Sequence, residues 1–129
     1  ENRLRMTGHL LKDKLRILGN GTAYIVVRAE ELAEYDIREG ELEGIVNIPL
    51  TLEKVRLSIL MREDSGFFRA SLRSKRGTSA FRLAERYFNG GGQEQASGGR
   101  LYIPADIEDA SQVEAYVERV TDVFFASEN

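Results

Sequence analysis

Two short stretches of this sequence could bind an oxyanion. The first is Arg73-Ser74, which is followed by Lys75 and Arg76. An arginine guanidinium presents a rigid fork of N–H donors that fits a phosphate group, and a serine hydroxyl adds one more donor. The second is the run Gly90-Gly91-Gly92, where the absence of Cβ atoms lets successive backbone N–H groups point into one concavity. Together the two stretches predict a site for a phosphate-bearing ligand.

Each stretch also has a plainer interpretation. A glycine run after a helix is most often a C-terminal cap followed by a flexible loop, and an arginine at a strand end is often only a solvated charge. The glycine run lacks the Lys-Ser/Thr ending of a P-loop and does not directly follow a strand, so we reject an NTPase interpretation. The phosphate-site hypothesis therefore depends on a fold that brings the two stretches together.

The charges are distributed unevenly along the chain. The net charge is only −3, but residues 54–100 carry ten basic and four acidic side chains, a net charge of +6. Residues 28–53 and 101–129 each carry a net charge of −6. A basic block of this kind favours a local anion site over a surface that coats nucleic acid generally. Solvated faces of differing charge would give the same count.

The composition narrows the class of protein. A chain of 129 residues that is 42% hydrophobic and 30% charged is the size of one globular domain. No apolar run approaches the ~20 residues of a membrane span, so we predict no membrane association. The absence of cysteine excludes disulfides, thiolate zinc sites and a cysteine nucleophile, and it fits a reducing compartment. Because His9 is the single histidine, we predict no catalytic residue and no metal ligand in this chain.

Hydrophobic periodicity predicts the elements that would position the two stretches. The clearest is a β-hairpin, in which apolar and polar residues alternate over 55–62 and 68–73 on either side of the polar turn Glu63–Gly66. Leucines at a nearly helical spacing predict a helix between Arg3 and Leu18. The β-rich run Thr22–Arg28 predicts a central strand that is buried on both faces.

The hairpin is expected to lead into a helix that ends at the glycine run. Thr78 or Ser79 can cap this helix, and the run that begins at Asn89 ends it. Gly98-Gly99 is then expected to open a short strand over residues 100–103. The apolar positions assigned to the helix are Phe81, Ala84, Tyr87 and Phe88.

Three more segments are predicted to be helical or close to it. Ala29–Tyr35 suits a short acidic helix, and Glu41–Leu50 suits a helix that ends before Pro49. In the last helix, Ser111 and Glu114 match a capping box. Strands and helices interleave, so the predicted fold class is α/β or α+β, with a mixed sheet of about four to five strands and helices packed on it. The apolar face of the last helix comprises Val113, Tyr116, Val117, Val120, Val123 and Phe124.

Beyond these patterns, the chain resembles a known family. SLRS at Ser71–Ser74, Ala84-Glu85 in the following helix, FNGGG at Phe88–Gly92 and the segment Ala96–Gly99 are similar to the DHHA1 domain, the C-terminal domain of DHH phosphoesterases. The branch that it resembles is the bifunctional oligoribonuclease and pAp phosphatase type, also described as exopolyphosphatase-related or RecJ-like. GTAYIVV at 21–27 and EGIVNIPL at 43–50 look like the same branch, so the resemblance covers nearly the whole chain.

The resemblance implies a domain organisation. Residues 1–129 would form a single substrate-binding domain of a longer two-domain protein, and a start without an initiator methionine or an apolar signal core leads us to expect a piece of a longer chain. The N-terminal DHH domain, missing here, would hold two divalent metals, usually manganese, whereas this segment would hold no cofactor. The DHHA1 domain would close over the cleft between the two.

The resemblance also implies site residues. Arg73, Ser74 and the glycines Gly90, Gly91 and Gly92 match the substrate-binding positions of the family. The family pattern GGGH continues with a histidine that contacts the phosphate, whereas this chain has Gln93. A glutamine amide donates a hydrogen bond without carrying charge, so its contribution should be weaker by ~1 kcal/mol.

The implied function is to bind the phosphate or nucleotide substrate of a manganese-dependent phosphoesterase, a hydrolase acting on short oligoribonucleotides or pAp. This chain alone is expected to be inactive, and its partners would be the substrate and the DHH domain of the same cytoplasmic protein, with a homodimer also compatible. The alternatives are a non-catalytic nucleic-acid-binding or regulatory module, and a plain interaction domain should the basic residues prove scattered. The substrates left open are nanoRNA, pAp, a cyclic dinucleotide and polyphosphate.

Overall fold

A six-stranded mixed sheet organises the chain, whose computed structural model describes residues 1–38 and 40–128. The spatial order is β1-β2-β3-β4-β6-β5; β2 and β3 are parallel, and the other neighbours are antiparallel. The predicted fold class is confirmed, and the sheet exceeds the expected four to five strands because both outermost strands are very short. The strands are β1 (Arg16–Ile17), β2 (Thr22–Val27), β3 (Leu57–Glu63), β4 (Phe67–Ser74), β5 (Gly91–Gln93) and β6 (Ala96–Tyr102).

Helices pack on both faces of the sheet but cover them unequally. On the first face, α3 (Ala80–Tyr87) and α4 (Val113–Ser127) form the larger core with side chains from β2, β3, β4 and β6. On the second face, α1 (Asn2–His9) and a 3₁₀ segment (Ile45–Thr51) form a smaller core with side chains from β2 and β3 alone. The 3₁₀ segment also approaches β4, whereas no described helix packs on the second face of β6.

The predicted hairpin is confirmed as β3 and β4. Leu57, Ile59 and Met61 of β3 are buried in the larger core, and β4 contributes Phe68 and Leu72 to the same core. The intervening residues point to the second face, because side chains alternate between the two faces of a strand. The Asp64 N–H donates to the Phe67 carbonyl at 2.8 Å and closes the turn.

The strand predicted at Thr22–Arg28 is confirmed as β2, and all six of its residues are buried. It lies next to the short β1, which the sequence did not predict. The helix expected up to Leu18 ends instead with a π-helical turn, Leu10–Lys14, and Arg16–Ile17 pairs with β2. Pairing with an exposed strand edge outweighs the local helical spacing of the leucines, since each pairing satisfies backbone groups of both strands.

The short acidic helix is confirmed as α2 (Ala29–Glu34), but the prediction that the next helix ends before Pro49 is wrong. Pro49 lies inside the 3₁₀ segment and is buried. Its missing N–H is tolerated there because the segment is short, and its carbonyl still accepts a hydrogen bond from the Leu52 N–H at 3.1 Å.

Helix α3 begins as predicted, with Ser79 as its cap: the Arg82 N–H donates to the Ser79 hydroxyl at 3.0 Å. Its inward face is different, however. Ala80, Leu83 and Ala84 are fully buried at i, i+3, i+4 spacing, whereas Phe81 is 36% exposed. Phe81, one of the apolar positions of the predicted helix, therefore lies outside the buried stripe, because in an eight-residue helix only one narrow stripe reaches the sheet.

Two expectations near the C-terminus are also corrected. The strand predicted to begin after Gly98-Gly99 begins at Ala96, so both glycines lie inside β6. The capping box is wrong as well: Asp109 accepts the Ser111 N–H at 2.9 Å, while Glu114 forms an ion pair with Arg28 at 2.7 Å. Over residues 1–38 and 40–128, every helix is too short or too polar to traverse a bilayer.

Candidate phosphate-binding face

The second face of the sheet carries four arginines, which we call the basic face: Arg62 on β3, Arg69 and Arg73 on β4, and Arg100 on β6. Arg69 is in register with Arg62 on one side and with Arg100 on the other. Neighbouring strands are about 4.8 Å apart, so three guanidinium-bearing residues stand in one row across the sheet. Like charges in directly opposite positions destabilise a sheet, and a bound anion would relieve that repulsion.

Two adjoining cavities lie on the basic face. The first has a volume of about 300 Å³, and one acidic residue, Glu43, lines it beside the arginines. Its other lining residues are Gly40, Leu42, Leu60, Arg62, Arg69, Ser71 and Arg73. The second has a volume of about 450 Å³ and lies over Arg69, Ser71, Gly98-Gly99, Arg100 and Tyr102. Because they share Arg69 and Ser71, the two cavities form one continuous groove across β3, β4 and β6.

The charges of the basic face are largely uncompensated. Arg69 pairs with Asp64 at 3.3 Å, and both side chains are partly exposed. Within residues 1–38 and 40–128, Arg62, Arg73 and Arg100 form no ion pair. In the same part of the chain, the buried Nε of Arg62 has no hydrogen-bond partner. A buried guanidinium nitrogen without an acceptor is costly. The positive charge that remains unpaired along the groove would attract an anionic ligand.

The pKa of Asp64 is lowered by its hydrogen bonds and by the nearby arginines. Its carboxylate accepts a hydrogen bond from the Ser65 N–H at 2.8 Å and another from Arg69 Nε. These bonds, and the nearby charges of Arg69 and Arg62, hold the pKa of Asp64 below its usual value. Asp64 therefore stays ionised and balances one charge of the arginine row.

Arg73 lies at the end of β4, as the sequence predicted. Its Nη1 donates to the carbonyl of Leu72 at 2.9 Å and to that of Ser97 at 3.3 Å. These two acceptors fix the guanidinium against the β4–β6 ladder. A guanidinium has five N–H donors, so several remain for a ligand in the groove.

Ser74 lies on the opposite face of the sheet from Arg73, although the two residues are adjacent in sequence. Successive side chains of a strand point to opposite faces, and Ser74 is buried on the side of α3. Its hydroxyl donates to the Thr78 carbonyl at 2.6 Å. That bond stabilises the connection between β4 and α3, so the geometry gives Ser74 a structural contact and no place in the groove.

The three glycines do not form a free loop. Gly91 and Gly92 lie in the edge strand β5, and Gly90 directly precedes it. Asn89, with φ 51°, ends α3 in the left-handed conformation, and the Gly90 N–H donates to the Ala84 carbonyl at 3.1 Å. Gly91 and Gly92 belong to β5 and pair with Gly98 and Ser97.

Close packing requires the glycines in this corner of the fold. A Cβ on Gly90 would stand 1.9 Å from the Gly98 carbonyl oxygen, and one on Gly99 would stand 2.0 Å from that of Phe88. Glycine is therefore needed here for β5 and the end of α3 to pack closely against β6, whether or not the run binds a ligand. β5 is the outermost strand, which leaves alternate backbone N–H groups unpaired by a neighbouring strand.

Gln93 lies at the level of Arg73 in the sheet. It pairs with Ala96 across the β5–β6 ladder, and Ala96 pairs with Arg73 on its other side. The two backbones are thus two strand spacings apart, or about 10 Å. The side chain of Gln93 is exposed. The topology therefore brings together the end of SLRS and the end of the glycine run, as the phosphate-site hypothesis required.

Sequence reasoning missed three of the four arginines of this face. Arg62, Arg69 and Arg100 were counted in the basic block without being assigned to a site. A signal was available for one of them, because Arg69 has the same parity as Arg73 along one predicted strand and must share its face. Arg62 and Arg100 join them only through the register of β3 and β6.

The described residues do not fit a metal centre. In the ranges 1–38 and 40–128, no three His, Cys, Asp or Glu side chains are grouped so that they could hold an ion. Both ring nitrogens of His9 are engaged, Nδ1 at 3.0 Å from Asp13 and Nε2 at 2.8 Å from Glu31. No catalytic step through a metal follows from these residues.

The chain belongs to the DHHA1 domain family, whose family model matches residues 21–123. This confirms the resemblance seen in SLRS and the glycine run. The matched range contains all four arginines of the basic face and Gln93. Comparison with curated proteins found no match.

Solved structures agree with this family. An exopolyphosphatase-related protein from Bacteroides fragilis is 32% identical over 99% of the chain, with a TM-score of 0.85. A pGpG-specific phosphodiesterase, PggH from Vibrio cholerae, shares the fold at 18% identity over 94% of the chain, with a TM-score of 0.62. The chain spans 36% and 39% of the lengths of these two proteins.

A third solved structure extends the fold to another class of protein. The C-Ala domain of alanyl-tRNA synthetase from Aquifex aeolicus is 11% identical over 83% of this chain, with a TM-score of 0.55. Here the match covers 96% of the other chain. At this identity the likeness concerns the fold alone.

Proposed function

We propose that this DHHA1 domain binds the substrate of a phosphoesterase and that its basic face holds the phosphates of a nucleotide or a short oligoribonucleotide. The observation that carries the proposal is the arginine row. Four arginines from three neighbouring strands line one groove, and of these four Arg69 alone forms an ion pair within residues 1–38 and 40–128. This clustering argues against a plain interaction domain with scattered charges.

The chemistry of the groove suits phosphate better than a carboxylate. Arginine forks bind planar or tetrahedral oxyanions bidentately, and several forks around one groove match a ligand with more than one phosphate. Arg73 is held by two backbone carbonyls, so its remaining donors are already oriented before the ligand arrives. Preorganised donors of this kind lower the entropic cost of positioning a substrate. Gln93 would supply a neutral donor at the same level of the sheet.

The hydrolytic chemistry is assigned to a part of the protein outside this chain. We infer that an adjoining DHH domain holds two divalent ions, with manganese the first candidate. The residues described here then contribute binding and orientation, and the isolated chain is expected to be inactive. The names of the two bacterial relatives support substrates with phosphoanhydride or phosphodiester bonds. A cytoplasmic location, a homodimer and pAp as substrate stay predictions.

Steady-state kinetics of the protein at its full natural length test this proposal. In manganese buffer, Arg73→Ala should lower kcat/KM for pGpG, a diadenylate or pAp by ~10- to 100-fold, because it removes charged hydrogen bonds to a phosphate. Arg119→Ala is the matched control, since Arg119 is an exposed arginine on α4, on the other side of the sheet. Equal effects of the two variants would reject the groove as the substrate site. Binding without turnover in the wild-type protein would favour a non-catalytic nucleic-acid-binding module.

A further inference from the structure

The turn between β5 and β6 lies where several elements of the fold meet. Gln93 and Ala96 are in register, so the turn consists of Glu94 and Gln95 alone. Two-residue hairpin turns favour Asn, Asp or Gly, because the turn types that match the twist of the strands need positive φ angles. Glu94-Gln95 lacks these residue types, so the position of the turn depends on its contacts with the rest of the fold.

Gln95 binds both backbone groups of the residue that follows Arg73. The Gln95 carbonyl accepts the Ser74 N–H at 3.0 Å, which continues the β4–β6 ladder by one residue. The side-chain amide of Gln95 then donates from Nε2 to the Ser74 carbonyl at 3.2 Å. One backbone bond and one side-chain bond thus attach the turn to the end of β4, and the turn cannot move away from β4 without breaking both.

The other residue of the turn is attached to the start of α3. The Glu94 carbonyl accepts the Ala80 N–H at 2.8 Å, and the Glu94 carboxylate accepts a hydrogen bond from the Ser79 hydroxyl. The first N–H groups of a helix have no partner within the helix, so the carbonyl bond also satisfies one of them. The turn is therefore held between α3 and β4, and Gln95 supplies the side-chain contact with β4.

At the level of this turn, Arg73, Ala96 and Gln93 form one row across the sheet. Residues in register point to the same face, so Arg73 and Gln93 stand on the second face on either side of the short Ala96 side chain. A phosphate above Ala96 can receive donors from both sides. The carbonyls of Leu72 and Ser97 already fix the Arg73 guanidinium, so the position of Gln93 decides whether the two donors converge.

We infer that Gln95 is a positioning residue, whose side-chain amide holds the β5–β6 turn against β4 so that Gln93 and Arg73 bind the same phosphate. The inference rests on the proposed function of the basic face. A neutral hydrogen bond weakens steeply when it is misaligned, whereas the attraction of a charge falls gradually with distance. A small shift of the turn therefore costs the Gln93 contact and leaves most of the Arg73 attraction. Gln95 acts through Gln93, because its own amide is engaged by the Ser74 carbonyl.

The test measures the contribution of Gln93 with and without the Gln95 amide. The probe is AMP, which carries one phosphate, and calorimetry gives its affinity for the protein at its full natural length. Gln93→Ala should weaken AMP binding by about 3- to 10-fold, the value of one neutral hydrogen bond. Gln95→Met keeps the length of the side chain but removes its donor, and it should weaken binding by a similar factor. When Gln93→Ala is added to Gln95→Met, the further loss should be less than about twofold, because Gln93 already misses the phosphate.

Gln112→Met is the matched control. Gln112 also makes one side-chain bond to the backbone, since it accepts the Glu108 N–H at 2.7 Å, and it lies at the start of α4 on the other side of the sheet. Gln112→Met should leave the AMP affinity unchanged. In this background Gln93→Ala should keep its full effect, which separates the loss of one glutamine hydrogen bond from the loss of this particular one.

The outcomes separate this inference from the proposed function. An undiminished effect of Gln93→Ala in the Gln95→Met background overturns the inference, because Gln95 would then only stabilise the turn. Unchanged AMP affinity in Gln95→Met overturns it as well. Arg73→Ala is the second arm, since the basic face predicts that this variant weakens AMP binding. If Arg73→Ala acts and neither glutamine variant does, the basic face stands without a positioning role for Gln95. If none of the three variants changes the affinity, both assignments are rejected.

Discussion

The two faces of the hairpin are formed by the same strands, β3 and β4, but they differ in polarity and in what they contact. The face toward α3 and α4 buries Phe68, Leu72 and Met61 in the larger core. The other face carries Arg62, Arg69 and Arg73, half-buried along one groove. The apolar face gives the sheet the stability it needs to hold like charges close together on the opposite face. The domain can thus tolerate an unfavourable row of cations, because apolar packing on the opposite face stabilises the same strands.

The sharpest test of this division compares one residue from each face. Phe68→Ala should destabilise the fold by ~3–5 kcal/mol, because it removes a fully buried aromatic side chain from the larger core. Ser71→Ala, on the groove side of the same strand, should change the free energy of unfolding by less than about 0.5 kcal/mol. Chemical denaturation of both variants measures the difference. Similar losses would show that the groove side also carries packing energy.

The glycines of β6 allow a second comparison, between close packing and open space. Gly99→Ala should destabilise the fold by ~1–3 kcal/mol, because the new methyl group would overlap the Phe88 carbonyl. Gly8→Ala in α1 is the matched control, since nothing lies within 4 Å of its Cβ position. The control should gain up to about 1 kcal/mol from helix propensity. Thermal unfolding checks both changes, and a neutral Gly99→Ala would remove the packing explanation for the motif.

The arginine row should show opposite effects on stability and on binding. Arg62→Gln removes one of three neighbouring like charges, so the unfolding free energy without ligand should stay the same or rise by up to about 1 kcal/mol. Tripolyphosphate binding should weaken by ~1.5–3 kcal/mol, the value of a charge-assisted hydrogen bond. Calorimetry at two salt concentrations should also show a smaller salt dependence of the affinity. A loss of stability together with unchanged affinity would mean that Arg62 is only structural.

The smallest predicted effect concerns pH and the helix that covers part of the second face. The hydrogen bond to Glu31, and then that to Asp13, raise the pKa of His9 above 6.5 against the opposing effect of burial. Protonated His9 therefore stabilises the contact of α1 with α2. Its contribution is complete below the unfolded pKa of 6.5 and is lost as the pH rises through the higher folded value.

Unfolding measured across this pH range tests the contact. His9→Gln should remove the decline in stability between the unfolded and folded pKa values, because glutamine does not titrate there. The groove lies on β3, β4 and β6 and should keep its ligand affinity in this variant. A decline of equal size in His9→Gln would assign the pH dependence to other groups.

Local patterns in the sequence predicted much of the scaffold. The alternation at 55–62 and 68–73 was enough to predict the hairpin, because side chains of a strand follow a period of two. Ser79 marked the start of α3, since a side-chain oxygen there satisfies a free helix N–H. Segments that depend on a distant partner were missed, such as β1, which is a strand only because β2 pairs with it.

The sequence by itself therefore determined the fold class, the family and the presence of Arg73 and Gln93 as phosphate-binding candidates. Only the tertiary structure decided which side chains stand beside them. Strand register puts Arg62 and Arg100 next to Arg69, and the alternation along β4 turns Ser74 into the core. Register depends on pairing between segments far apart in the chain, which no local spacing records. The partners of the groove, unlike its central arginines, could therefore not be predicted from sequence.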